Sequence, residues 1–166
     1  MQLRSATPND APRIRALIDL FTEDGTLLPR TEAFISAQAH NFIVAETASD
    51  GVVGCVHLDE YSPSVAELRS LAVAPEAQGY GVGRALVSAV ERLARKRDHM
   101  VLFAVSNDEA YFRKFGFGTE HVPELDRERS EVSRWKGVYA KLLREPALAG
   151  AGGVAVDSTD DEGGAP

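Results

Sequence analysis

Apolar residues recur in two rhythms along this chain. Near the N-terminus Ile14, Leu17, Ile18 and Phe21 fall at helical spacing. Pro8, Asn9 and Asp10 open that helix, and Gly25 closes it. After a linker over 26–30, the pattern predicts a second helix over 31–39 with Thr31 as its cap. Strand-like runs cover 3–7, 42–48, 52–60 and 65–73. Ser49-Asp50-Gly51 and Tyr61-Ser62-Pro63-Ser64 are turns between them. Over 82–97 the period returns to helical, with a stripe of Val82, Leu86, Val90 and Leu93. Arg92, Arg95, Lys96 and Arg97 crowd its C-terminal turns, as the helix dipole favours. The unbroken apolar run 100–105 predicts a strand buried on both faces. A short helix over 108–115 with Gly116 as its cap, and a strand over 138–143, complete the order. No internal repeat is found. These elements predict a mixed α/β (α+β) domain around one sheet.

The stretch from Leu71 to Arg84, LAVAPEAQGYGVGR, changes the picture from fold to chemistry. It reads as a strand, a glycine-rich turn and the first turn of a helix. A helix N-terminus carries unsatisfied N–H groups and about half a positive charge. Glycines let the main chain approach a ligand closely. Together they predict a site for a phosphate or pyrophosphate. No Lys-Ser or Lys-Thr follows the glycines, which excludes the nucleotide-hydrolase loop, and the dinucleotide fingerprint is incomplete. On the glycines alone, a plain tight turn stays open.

Composition narrows the class. The 166 residues suit one domain, with 44% hydrophobic residues and one cysteine, Cys55. Cys55 in an apolar run is read as a core residue. The histidines His40, His57, His99 and His121 show no metal-ligand spacing, so no metal is expected. There is no membrane-length apolar run and no signal-peptide pattern, so a cytoplasmic protein is expected. The net charge of −7 disfavours nucleic acid as a partner. The segment 146–166 is acidic and rich in Gly and Ala, and is expected to be a disordered tail behind a domain over 1–145.

Gln78, Gly81 and Gly83 after Leu-Ala-Val-Ala-Pro, with Phe115-Gly116-Phe117 later, resemble the GNAT acetyltransferase superfamily. The resemblance runs from residue 3 to 143. It implies a central mixed, mostly antiparallel sheet, splayed at an acetyl-CoA site and flanked by helices. It implies acetyl transfer to an amine, with Leu71, Ala72, Val73, Gln78, Gly79, Tyr80, Gly81, Val82, Gly83 and Arg84 at the cofactor. Leu71 and Val73 would serve through main chain, facing the thioester oxygen and pairing with pantetheine.

Acetylating an amine requires removing a proton from the ammonium and stabilising the oxyanion and the leaving thiolate. Glu67 lies where the family's general-base glutamate lies. Strand alternation, barring a bulge, puts it on one face with Arg69 and Leu71. The alternative is an exposed carboxylate paired with Arg69. Four residues before Gly116, where many members have Tyr, stands Phe112; Tyr111 is one position off. The run Phe103-Ala104-Val105-Ser106 with Tyr111-Phe112 resembles the short, stand-alone N-acetylglutamate synthases instead. There Ser106 would serve the leaving sulfur, against a plain helix-capping role, with Tyr111 a lesser candidate. Leu27-Leu28-Pro29-Arg30-Thr31, Asn41-Phe42-Ile43-Val44-Ala45-Glu46 and Arg134 resemble the same subgroup. Arg30, Arg69 and Arg134 are the candidate substrate-binding residues, because guanidinium grips carboxylate with two hydrogen bonds. Lys136 and Arg129 are alternates, and Trp135 lines either the substrate mouth or the last hairpin. Longer synthases carry a kinase-like domain before this one; this sequence starts at the acetyltransferase part.

The resemblance therefore implies α-N-acetylation of L-glutamate, the entry to arginine biosynthesis, with a homodimer left open. An acetyltransferase for another amino acid, a small amine or a protein N-terminus is the alternative. A non-catalytic acyl-CoA-binding module is the third reading.

Overall fold

The structure is a computed structural model and describes residues 1–119 and 136–143. Arg129, Arg134, Trp135, His121 and the acidic tail lie outside the described residues. Six strands form one sheet in sequence order: β1 (Gln2–Ser5), β2 (Phe42–Thr47), β3 (Gly51–Glu60), β4 (Val65–Val73), β5 (Val101–Ser106) and β6 (Gly137–Leu142). Every neighbouring pair is antiparallel except β4 and β5. That parallel pair needs a crossover, and helix α3 (Val82–Lys96) supplies it. The mixed, mostly antiparallel sheet expected from the sequence is the sheet found.

Helix α1 (Ala11–Asp19) starts later than its pattern suggests, because Pro8–Asp10 form a 3₁₀ turn. Asp10 is held there by Arg4, which donates to both of its carboxylate oxygens at 2.8 and 2.9 Å. The helix ends at Asp19, and Phe21 lies in the turns that run on to Gly25, at φ +73°. Helix α2 (Glu32–Ala37) is capped by Thr31, whose hydroxyl accepts from the Phe34 N–H at 3.1 Å. Helix α4 (Glu109–Arg113) is shorter than the expected 108–115 because Asp108 is its cap, accepting from the Tyr111 N–H at 2.9 Å.

The apolar stripe of α3 is buried at Val82, Leu86, Val87, Val90 and Ala94. Its first turn lies close to the sheet at Gly54. A Cβ there would sit 3.0 Å from Leu86 Cδ1 and 3.1 Å from Val82 Cγ1. A glycine on β3 thus sets how near the helix N-terminus comes to the end of β4.

Register in the β3–β4 hairpin carries the main surprise. Asp59 pairs with Glu67 and His57 with Arg69, but the next pair is Cys55 with Ala72. Ser70 and Leu71 together oppose Val56 alone, which is a β-bulge, and Ser70 takes φ +50°. The bulge shifts the parity of β4. Glu67 and Arg69 share a face with Asp59, His57 and Cys55, whereas Leu71 leaves that face; the expectation that Leu71 accompanies Glu67 is corrected here. The Ser70 carbonyl is not orphaned by the distortion, because the Cys55 thiol donates to it at 3.5 Å. Cys55 is fully buried, and burial pushes its thiol up to about 12, so it stays protonated as a core residue.

Candidate active site

β4 and β5 pair at only three positions, ending at Glu67 opposite Phe103. Beyond that pair the strands part, with β4 running on to Val73 and β5 to Ser106. A cleft of about 920 Å³ fills the gap, bordered by Glu67, Leu71, Val73, Gly81, Ser106 and Tyr111 among others. The bulge contributes, since it increases local twist and aims the strand away from its neighbour. A volume of this order suits a ligand of cofactor size.

At one end of the cleft the 3₁₀ turn Pro75–Ala77 and two glycines deliver the start of α3. Gly79 and Gly81 both take φ +82°, which side chains disfavour. Gly81 is the N-cap residue and no side chain caps the helix there. The first-turn N–H groups are therefore left for a ligand. Gln78 Nε2 donates to the Val73 carbonyl at 3.0 Å, tying the loop back onto the strand. Gly83 is packed against a side chain. A Cβ there would lie 2.5 Å from the Tyr111 hydroxyl, whereas the next Tyr111 atom stands at 3.7 Å. Arg84 lies over the Phe115 ring at 5.5 Å and also borders the cleft. Two members of the expected cofactor set do not border it. Ala72 is buried opposite Cys55, and the Tyr80 side chain is 83% exposed beyond the loop.

Glu67 sits at the apex, where the strands separate. Its side chain is only 13% exposed, and Arg69 Nε stands 3.6 Å from its Oε1. Arg69 makes its shorter contact, 2.9 Å, with Asp59. So Glu67 is neither exposed nor strongly paired. Burial pushes its carboxyl up to about 7; Arg69 opposes the rise, Asp59 adds to it and Arg30 opposes it. A carboxyl balanced there takes or gives a proton near neutral pH.

Ser106 and Tyr111 stand along the same cleft. Ser106 Oγ accepts from the Asp108 N–H at 3.0 Å, so it shapes the turn before α4 while its own proton stays available. The helix-capping role weighed for it falls to Asp108 instead, whose side chain caps the helix. The Tyr111 ring packs edge-on against Phe112 and Phe115, and burial raises its hydroxyl above the usual range, with Asp108 adding to the effect. Its hydroxyl is directed at the α3 N-terminus through its approach to Gly83.

Arg30 enters the other end of the cleft from the α1–α2 loop. Its Nε is buried with no hydrogen-bond partner among the described residues, and its guanidinium rests 5.2 Å from the Phe34 ring centroid. Burial, reinforced by Arg69, lowers its pKa. A half-buried cation with no ion pair among the described residues carries an electrostatic cost that a bound carboxylate would relieve. Lys136 is differently used. Its Nζ donates to the carbonyls of Gly25 and Thr26 at 2.7 and 3.0 Å, fastening the α1–α2 loop. Asp59 escaped sequence reasoning, and Phe103 and Phe115, named there only as motif residues, line the cleft. The tight turn at 61–64 was the available signal for Asp59, since a short hairpin fixes which residue faces Glu67.

Residues 38–119 match the family described as acetyltransferase (GNAT) domain. An amino-acid acetyltransferase of Ralstonia nicotianae is 36% identical over 146 residues, covering 86% of this chain and 32% of that protein. Residues 38–119 are thus a GNAT acetyltransferase domain. A Mycobacterium tuberculosis amino-acid acetyltransferase is 29% identical over 69% of this chain and 67% of its own length. The structure of N-acetylglutamate synthase from Neisseria gonorrhoeae complexed with coenzyme A and N-acetyl-glutamate superposes with a TM-score of 0.76. It is 27% identical, covering 87% of this chain and 35% of that one. The chain thus spans about a third of the Ralstonia and Neisseria proteins. Among the described residues of this GNAT domain no helix is long and apolar enough to cross a membrane, and no His, Cys, Asp and Glu group could hold a metal ion.

Two outcomes follow from this geometry. Gly83→Ala will force Tyr111 aside and weaken coenzyme A binding, measured by calorimetry, and adding Tyr111→Phe will restore much of it by removing the clashing oxygen. Glu67→Gln will stabilise the fold at pH 8. The carboxyl has a folded value near 7 against about 4.3 unfolded, so ionising it costs the fold up to about 4 kcal/mol above pH 7. That gain in chemical-denaturation stability will shrink to under about 1 kcal/mol at pH 5, where the folded carboxyl is already protonated.

Proposed function

We propose that this protein transfers the acetyl group of acetyl-CoA to the α-amine of an amino acid, with L-glutamate as the first choice. The observation that carries the reading is the pairing, within one cleft, of a buried carboxyl at Glu67, pushed up to about 7, with a guanidinium at Arg30 whose buried Nε has no hydrogen-bond partner among the described residues. The first accepts the ammonium proton; the second takes a carboxylate of the acceptor. Relatives named amino-acid acetyltransferase, and a neighbour holding coenzyme A and N-acetyl-glutamate, support the same assignment.

In this reading the pyrophosphate of the cofactor lies on the N–H groups of residues 79–84. Pantetheine runs along the edge of β4 that β5 has left, with Val73 pairing to it through main chain. The main chain near Leu71 faces the thioester oxygen. Glu67 takes a proton from the bound ammonium, directly or through water. The amine nitrogen then attacks the acyl carbon, and the carbon–sulfur bond breaks as the thiolate leaves. The Ser106 hydroxyl, or Tyr111, hydrogen-bonds that sulfur. Arg30, Arg69 and Arg134 are the acceptor-binding set. Arg69 is less available than Arg30, since Asp59 already holds it. The setting is cytoplasmic arginine biosynthesis.

Thiol release in the presence of acetyl-CoA and each amino acid tests the proposal. Glutamate will be acetylated faster than uncharged amines, and the rate will rise with pH through about 7 as Glu67 ionises. Glu67→Gln will lower kcat by about 10²–10⁴-fold while sparing coenzyme A binding. Arg30→Ala will raise the acceptor KM roughly 30-fold or more, the loss expected for a charged hydrogen bond, with the acetyl-CoA KM unchanged. Equal rates on glutamate and on neutral amines would remove glutamate from the proposal. Coenzyme A binding without turnover on any amine would leave an acyl-CoA-binding module.

A further inference from the structure

Glu67 and Arg69 are alternate residues of β4 and share a face, so a close ion pair between them is what the strand alone dictates. Such a pair would hold the Glu67 carboxyl in its charged form. The structure shows the two drawn apart. Arg69 Nε stands 3.6 Å from Glu67 Oε1, whereas its Nη1 donates to Asp59 Oδ2 at 2.9 Å. Register puts Asp59 there: the β3–β4 hairpin sets it directly opposite Glu67 and diagonal to Arg69, whose own partner is His57. A long side chain reaches a diagonal neighbour of this kind. The guanidinium has one carboxylate on its own strand and one across the hairpin, and it takes the second. The two differ in surroundings, since the Asp59 side chain is 36% exposed and that of Glu67 13%. An ion pair on the wetter side costs less to desolvate, and the drier carboxyl is left without a close counter-charge.

Few other charges compete at this point. After burial itself, the groups acting on Glu67 are Arg69, Asp59 and Arg30, in that order. On β5 its partner is Phe103, which carries no charge. His57 is held neutral by burial, which lowers its pKa to about 4. Tyr61, from the β3–β4 turn, and Lys136, just before β6, border the same cleft, and the Lys136 ammonium donates to the Gly25 and Thr26 carbonyls. Among the described residues, Asp59 is thus the group that decides where the nearest cation points.

We propose that Asp59 is a positioning residue for the base: it clamps the Arg69 guanidinium and so keeps Glu67 free to take up and release a proton. The inference rests on the proposed part of Glu67 in acetyl transfer and goes beyond it in assigning Asp59, which does not border the cleft. The deciding experiment is a double-mutant cycle read by carbon-13 NMR titration of the labelled Glu67 carboxyl, which needs no turnover. Asp59→Ala will lower the midpoint by at least about one pH unit, because the released guanidinium closes on Glu67. Arg69→Gln will raise it. Asp59→Ala made in that background will lower it by less than half as much, since no guanidinium is left to be released. Asp59→Glu, which keeps a carboxylate for Arg69, will hold the midpoint close to that of the wild type. In acetyl transfer, Asp59→Ala will move the rise of rate with pH downward by the same amount. It will also lower kcat several-fold above about pH 8, as a weaker base does, with the KM for acetyl-CoA unchanged. A midpoint that Asp59→Ala leaves in place overturns the clamp. So does an equal fall in both backgrounds, which is the loss of a neighbouring charge alone. A wild type inert on every amine, with the predicted shifts present, upholds the clamp and overturns the proposed function.

Discussion

The parting of β4 from β5 at Glu67 and Phe103 is the constraint on which the rest depends. Parallel strands ordinarily continue side by side. Here a bulge at Ser70 and Leu71 bends β4 away just past the last pair. One distortion has three consequences. It opens a cleft between two strands, it leaves the main chain of β4 available along one edge, and it keeps the Glu67 side chain largely dry at the closed end. Cys55 supports the distortion from below by donating to the Ser70 carbonyl.

That arrangement lets one carboxyl carry conflicting demands. A base for an ammonium proton must titrate near the working pH, which burial alone achieves at a cost to stability. Arg69 would cancel the effect if it paired fully with Glu67. Asp59, cross-strand from Glu67, draws Arg69 away to a 2.9 Å contact and leaves 3.6 Å to Glu67. The balance among these three side chains, with Arg30 beyond them, sets the proton affinity of the site. The opposite end of the cleft needs no such tuning, because main-chain donors at a helix start are fixed by the fold.

Much of this was legible in the sequence. The order of elements along the chain, the helix over 82–97 and the glycine loop followed from apolar spacing and from the run Gln78 to Gly83, because those features depend on local rules. Glu67 and Arg30 were found through resemblance, and both border the cleft. The bulge was not legible. Nothing in Arg69-Ser70-Leu71 marks a residue at positive φ, since serine has no special preference for it, and so Leu71 was assigned to the wrong face. Long-range pairing and cavity shape are properties of packing that single-residue patterns do not encode. Arg134 lies outside the described residues, so its place at the cleft is a proposal.

The most direct measurement is a titration of the Glu67 carboxyl in the unliganded protein, followed by carbon-13 NMR of labelled glutamate with Glu67→Gln to assign the signal. The account predicts a midpoint near 7. A midpoint at about 4.3, the value of a glutamate in open solvent, would contradict it: the apex would then be wet, and the strands' separation would not have made a base.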